Sequence, residues 1–301
     1  MDQFLVQRIE ISETTIFTRM GGAGPPLLLL HGFPETHHMW HRLAPLLSQR
    51  FTVVLADLRG YGESGCPPST DDHAPYGKRA MAQDMIEVMQ QLGFSRFFVI
   101  GHDRGARVAY RMALDHPETI THLAVFDIIP TGIAWQKADS RTMLGFWPWS
   151  LLAQPAPLPE RIIETNAEAM VNNACDNWGS SPDIFTPETR QIYIRALEDP
   201  QHVHAICEEY RAAATIDREH DEVDQQSGRT ITCPTLVLWG AGGAVDTWYS
   251  KQGGPLELWK AIAPKVVGEA VAGGHFFPEE IPQEVYEKVQ SFFNQNIKQE
   301  K

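Results

Sequence analysis

Short apolar runs alternate with helical patterns through the first half of the chain, and that alternation constrains the fold more than any other feature. The runs are Leu27–Leu30, Thr52–Ala56, Arg96–Ile100 and His122–Asp127, with helical periodicity over Gly77–Leu92 and Arg104–His116 between them. Strands that alternate with helices build a parallel sheet with crossover connections. His116-Pro117 closes the second helix, because the residue before a proline is pushed out of helical geometry. Upstream, FLVQRIEISETTIFTRMGG alternates as a hairpin leading into the sheet. After Asp127 the pattern stops. From Ile128 to about Gly228 there is no convincing parallel strand, only helical stretches such as Thr189–Leu197 and Val203–Ala214, several tryptophans and the tract PAPLPE. Strand texture returns in Cys233–Gly240 and Lys265–Val271, and Glu284–Ile297 reads as a closing helix. The expected class is α/β: a mostly parallel sheet flanked by helices, core residues 1–130 and 229–301, with residues 131–228 inserted as a helical cap.

Composition narrows the function. With 43% hydrophobic and 21% charged residues, the 301-residue chain buries an ordinary globular core. A formal net charge of −13 argues against nucleic acid or an anionic membrane surface as partner. It also means that an anionic substrate needs local cations to overcome the global field. The four cysteines (66, 175, 207 and 233) have no metal-ligand spacing, so a reduced setting without structural zinc is expected. MDQFLVQRIE lacks the pattern of a signal peptide, and PPLLLL is too short to span a bilayer. The expectation is a cytoplasmic enzyme with neither metal nor cofactor.

The candidate chemistry sits in GHDRGAR, Gly101–Arg107, at a strand-to-helix turn. Glycines two before and two after a residue at such a corner permit the tight backbone of a nucleophile elbow. Here the corner residue is Asp103, where an N-capping aspartate is the plainer alternative. Three further pieces lie where partners of an elbow belong. HGFPE follows the strand Leu27–Leu30 and offers the Phe33 backbone N–H, with that of Arg104, as an oxyanion hole. DLRGYGES follows the next strand. GGHFFPEE follows the last strand and presents His275. In this order the motifs resemble the α/β-hydrolase superfamily over nearly the whole chain. Two acids could orient His275, Asp127 in LAVFDIIPT and Asp246 in WGAGGAVDTWYS. Asp127 is preferred, because it stands at a strand C-terminus, where catalytic groups gather in open α/β sheets.

An aspartate nucleophile selects the reaction. Displacement at saturated carbon by serine leaves an ether, which activated water does not cleave. The same displacement by a carboxylate leaves an ester, which water activated by His275 can hydrolyse. Halide displacement or epoxide opening is therefore expected rather than esterase work. Arg104 and Arg107, three residues apart on the first helical turn, suit an anionic substrate carboxylate, although pairing with surface acids is the competing use.

Taken together, GHDRGARVAYRMALDHPETI, LAVFDIIPT, AQPAPLPE and GGHFFPEE resemble the fluoroacetate (haloacetate) dehalogenases. The resemblance implies that Asp103 displaces halide from a 2-haloacetate and that glycolate is released after hydrolysis, with no cofactor. It implies carboxylate binding by Arg104 and Arg107, an orienting role for Asp127, and a homodimer. Members of the family bind halide through a His-Trp pair before the proline-rich tract and a tyrosine from a later cap helix. The corresponding residues are Trp149 and Tyr210, but Pro148 stands where the histidine is expected. Losing one transition-state donor costs on the order of 3 kcal/mol, ~10²-fold in rate. Chloro- or bromoacetate should therefore be favoured over fluoroacetate, unless Trp147 turns inward as a substitute. An epoxide hydrolase shares Asp103, His275 and HGFPE, but epoxides have no carboxylate to occupy two arginines, and of the cap tyrosines such enzymes ordinarily use only Tyr210 is well placed. A ligand-binding receptor on a disabled hydrolase scaffold would be expected to have lost part of the Asp103, His275 and Asp127 set.

Overall fold

The computed structural model describes residues 3–297. Eight strands form one sheet: β1 (Leu5–Glu10), β2 (Thr15–Gly21), β3 (Pro26–Leu30), β4 (Thr52–Ala56), β5 (Phe97–His102), β6 (Ile120–Phe126), β7 (Thr235–Gly240) and β8 (Val266–Val271). Their order is β1-β2-β4-β3-β5-β6-β7-β8. The first hairpin is antiparallel and β2 pairs antiparallel with β4; every later pairing is parallel. The sequence reason is visible in burial. Strands β5 and β7 are buried at every residue, and β3, β4 and β6 at all but one or two, because helices cover both faces. Edge strand β8 alternates half-buried and exposed residues up to Val271, as a strand covered on one face does.

The elements read from the sequence are present with shifted ends. Strand β5 runs on through His102, and the following helix, Asp103–Asp115, begins at the aspartate itself. Between β6 and β7 the chain forms eight α-helices, from Thr131 to Ser227, and no strand among the described residues. This block packs back on the core through buried ion pairs. Arg111 of the elbow helix meets Asp221 at 2.8 Å and Asp224 at 2.5 Å. Among the described residues, no helix is long and apolar enough to cross a membrane, and no group of three or more His, Cys, Asp or Glu is arranged to hold a metal ion.

Candidate active site

The C-terminal ends of β5, β6 and β7 and the loop after β8 converge on one cavity of about 240 Å³, walled on another side by the inserted helices. Asp103 stands at the corner with φ 43°, a left-handed conformation that costs a non-glycine residue ~1 kcal/mol or more. The flanking glycines are required by contact. A Cβ on Gly101 would lie 2.5 Å from the Ala106 Cα, and one on Gly105 would run into the carbonyl oxygens of Leu30 and His31. Packing therefore holds the Asp103 carboxylate up at the cavity floor.

One carboxylate oxygen, Asp103 Oδ2, accepts from the Phe33 backbone N–H at 3.1 Å. The Arg104 N–H lies in the first helical turn, where backbone donors lack intrahelical acceptors. Burial raises the Asp103 carboxyl, but His275, Arg104, Arg107 and His102 around it outweigh that and hold it below the ordinary carboxylate range. It is therefore an ionised nucleophile candidate at neutral pH.

His275 lies on the same cavity, with Nδ1 2.6 Å from Asp127 Oδ2. Asp127 is also left-handed, at φ 53°, and its other oxygen accepts from the Gly240 N–H at 3.0 Å. The alternative acid, Asp246, is engaged elsewhere: it accepts from Trp239 Nε1 and from the Gly242 N–H, both at 2.9 Å. Behind the pair, His102 donates or accepts at Nδ1 with Glu35 (3.0 Å) and reaches the His275 carbonyl with Nε2 (2.8 Å). Burial lowers His102, yet the Glu35 charge overrides it and brings its pKa to about 9. His102 is thus cationic at neutral pH and donates from both nitrogens. Nothing in the sequence marked it beyond its place before Asp103.

The two arginines part company. Arg107 lines the cavity; its Nη1 donates to Ile129 O at 3.1 Å and Thr131 Oγ1 at 3.0 Å, and its other terminal amino group makes no hydrogen bond among the described residues. Arg104 is turned away and fully buried. Its Nε and Nη2 donate to Glu209 at 2.6–2.9 Å, its Nη1 has no hydrogen-bond partner among the described residues, and its guanidinium lies over the Tyr210 ring at 4.0 Å. Glu209 also takes Lys78 Nζ and, at 3.2 Å, the Tyr61 hydroxyl. Burial works against its charge, but Arg104 and Lys78 hold Glu209 below the ordinary value. Arg107 is pulled below the ordinary arginine value by burial and by the neighbouring Arg104 charge. Glu209 is one residue before Tyr210 in EEYRAAATID, and no spacing rule points from it to Arg104, 105 residues earlier.

The helical wall carries Pro148, Trp149, Trp178 and Tyr210, while Trp147 lies outside the lining. Trp149 packs against Arg107, whose guanidinium is 4.5 Å from its ring centroid. Burial keeps the Tyr210 phenol protonated well above its ordinary value. Trp178 meets the His275 ring edge-on at 5.5 Å, and its carbonyl accepts from the His275 N–H at 3.1 Å. Asp103, the His275–Asp127 pair, Arg107, Trp149 and Tyr210 therefore share one cavity.

Known proteins match this chain along its length. The alpha/beta hydrolase fold model matches residues 25–280. A fluoroacetate dehalogenase from Burkholderia sp is 42% identical over 95% of this chain and 92% of its own. A soluble epoxide hydrolase from Corynebacterium sp. (strain C12) is 31% identical over 90% and 91%. A solved structure from Nostoc sp PCC 7120, assigned to the alpha/beta hydrolases, superposes with a TM-score of 0.92 at 45% identity, covering 97% of this chain and 98% of that one. The chain belongs to the fluoroacetate dehalogenase family of the α/β-hydrolase superfamily.

Proposed function

We propose that this protein hydrolyses 2-haloacetates to glycolate and halide. The observation that carries the reading is Asp103 itself: a carboxylate on a strained elbow, held ionised, with Phe33 N–H on one oxygen and the His275–Asp127 pair on the same cavity. The free Asp103 oxygen attacks carbon 2, the carbon–halogen bond breaks, and halide leaves with the bonding electrons. The product is an ester between Asp103 and glycolate. His275 then takes a proton from water, and the hydroxide adds to the Asp103 carbonyl carbon. Charge gathers on Oδ2, facing the Phe33 and Arg104 N–H groups. Collapse cleaves the ester bond, and the proton on His275 passes to the departing glycolate. Asp127 holds the imidazole in the required orientation.

Arg107 takes the substrate carboxylate through its unused amino group, while Arg104 supplies charge from behind. Trp149 and Tyr210 stabilise the leaving halide, and the inserted helices act as the cap that excludes water. Because Pro148 offers no donor, chloride and bromide, which leave more easily than fluoride, are favoured. The test is halide release from chloroacetate and fluoroacetate side by side, with Asp103→Ala as blank. The expected result is release from chloroacetate at least ~10²-fold faster than from fluoroacetate. Equal rates would refute the halide preference; release from neither would refute the reaction. The epoxide hydrolase alternative draws on the Corynebacterium relative, but Tyr210 is the one tyrosine lining the cavity among the described residues.

A further inference from the structure

The cavity is larger than a haloacetate requires. A volume of about 240 Å³ approaches the lower end of the ~300–1,000 Å³ range of pockets that hold drug-sized ligands, whereas chloroacetate has five non-hydrogen atoms. The surplus has a definite chemistry. Besides Asp103, Arg107 and His275, and the polar Asn177, the lining includes Phe146, Pro148, Ala244 and Trp248. None of the latter carries a charge. Phe146 stacks on Trp149 at 5.5 Å and meets Trp248 edge to face at 4.8 Å, so the wall is a packed aromatic surface. Gly145 lies so close under Trp248 that a Cβ there would collide with the indole, which fixes the ring against the backbone.

Charge limits the ligand as much as size does. Arg107 is the one basic side chain other than His275 that lines the cavity among the described residues, because Arg104 is committed to Glu209. One carboxylate is matched. A second would face Asp103 and Asp127 with no cation to receive it.

We infer that the cavity contains an apolar subsite bounded by Phe146, Pro148, Ala244 and Trp248, and that the preferred acids are 2-halo monocarboxylates carrying an apolar substituent of about three or four carbons on the carbon attacked. This rests on the dehalogenase reading for the reaction, but not for binding. Pro148 has a part in it, since the residue that withholds a halide donor also supplies apolar wall. Burial of the substituent provides binding energy away from the reacting bond, which can hold carbon 2 in line with Asp103.

Halogen-free acids read the subsite without the slower displacement expected at a substituted carbon. Acetate, propanoate, butanoate, pentanoate and succinate are compared as competitive inhibitors of chloroacetate turnover by the intact enzyme. The inhibition constant should fall by up to ~4-fold per added methylene as far as pentanoate, with succinate no better than acetate. A flat or rising series, or tight binding of succinate, would overturn the subsite. Should no haloacid release halide, the reaction fails separately, and the same acids are compared by thermal shift. A midpoint rising with chain length then still supports the subsite, and an unchanged midpoint overturns it.

Discussion

The wall of the cavity built by the sheet and the wall built by the inserted helices are held in place by different means. On the sheet side, backbone fixes the reacting groups. Asp103 and Asp127 both occupy the left-handed region, and each accepts from a main-chain N–H, of Phe33 and Gly240 respectively. On the helical side, rings hold rings: Phe146 against Trp149 and Trp149 against Trp135 at 5.3 Å, with Trp248, from the chain after β7, set against Phe146. Backbone-fixed groups tolerate little change in position, whereas packed rings can be exchanged without moving the nucleophile. On the proposed function, the first wall carries the reaction and the second bounds what enters. Among the buried contacts that join them is a charged cluster in which Arg104 of the elbow helix is clasped by Glu209 of the helix Pro200–Ala214, with Lys78 also on Glu209.

Removing the nucleophile tests the sheet wall most severely. Asp103→Ala should lower halide release by ~10⁴-fold or more while the enzyme stays folded, because alanine keeps a Cβ on the same left-handed corner and leaves its packing in place. A variant that keeps a tenth of the activity would break the assignment. The charged cluster comes next. Glu209→Gln leaves Arg104 without its counter-charge and Lys78 with Asp217 alone, at 3.5 Å, and should destabilise the fold by roughly 3–5 kcal/mol in denaturant titration. A loss under ~1 kcal/mol would mean that the two walls are not coupled there.

A comparable effect is expected from pH. His102 has its pKa raised from 6.5 to about 9, by Glu35 against the pull of burial. The stability it contributes is complete below pH 6.5 and is lost as pH rises through about 9. The loss should approach 3 kcal/mol, and His102→Gln should flatten that part of the midpoint-against-pH curve. A midpoint that rises over this window would contradict the ion pair. The smallest effect is expected at Arg107, the proposed carboxylate anchor. Arg107→Met removes charge-assisted bonds and should raise KM for chloroacetate ~10- to 100-fold, with kcat less affected. An unchanged KM would transfer carboxylate binding to Arg104.

The sheet wall was largely legible in the sequence because covalent geometry announces it. Gly101 and Gly105 must be small where strand and helix backbones touch, and His275 follows the last strand on a glycine-loosened loop. The arginine pair was legible only by halves. Spacing on a helix places Arg104 and Arg107 on neighbouring faces, but it does not say which partner each will meet, and Glu209 reaches Arg104 only through the packing of a distant helix. Trp147 and Trp149 show the same limit, since two residues along a short helix separate a side chain outside the cavity lining from one that lines it. Phe146, Trp178 and Trp248 are ordinary aromatics until the fold brings them round one space.

The central claim is that Asp103 becomes covalently bonded to substrate carbon and is freed by attack on its own carbonyl. Turnover of chloroacetate in heavy-oxygen water tests this most directly. After many turnovers, the peptide containing Asp103 should carry the heavy isotope in its carboxylate, and in the first turnover the glycolate should carry ordinary oxygen from Asp103. An unlabelled Asp103 peptide, with solvent oxygen appearing in glycolate from the first turnover, would mean that water attacks carbon 2 directly and would contradict the account.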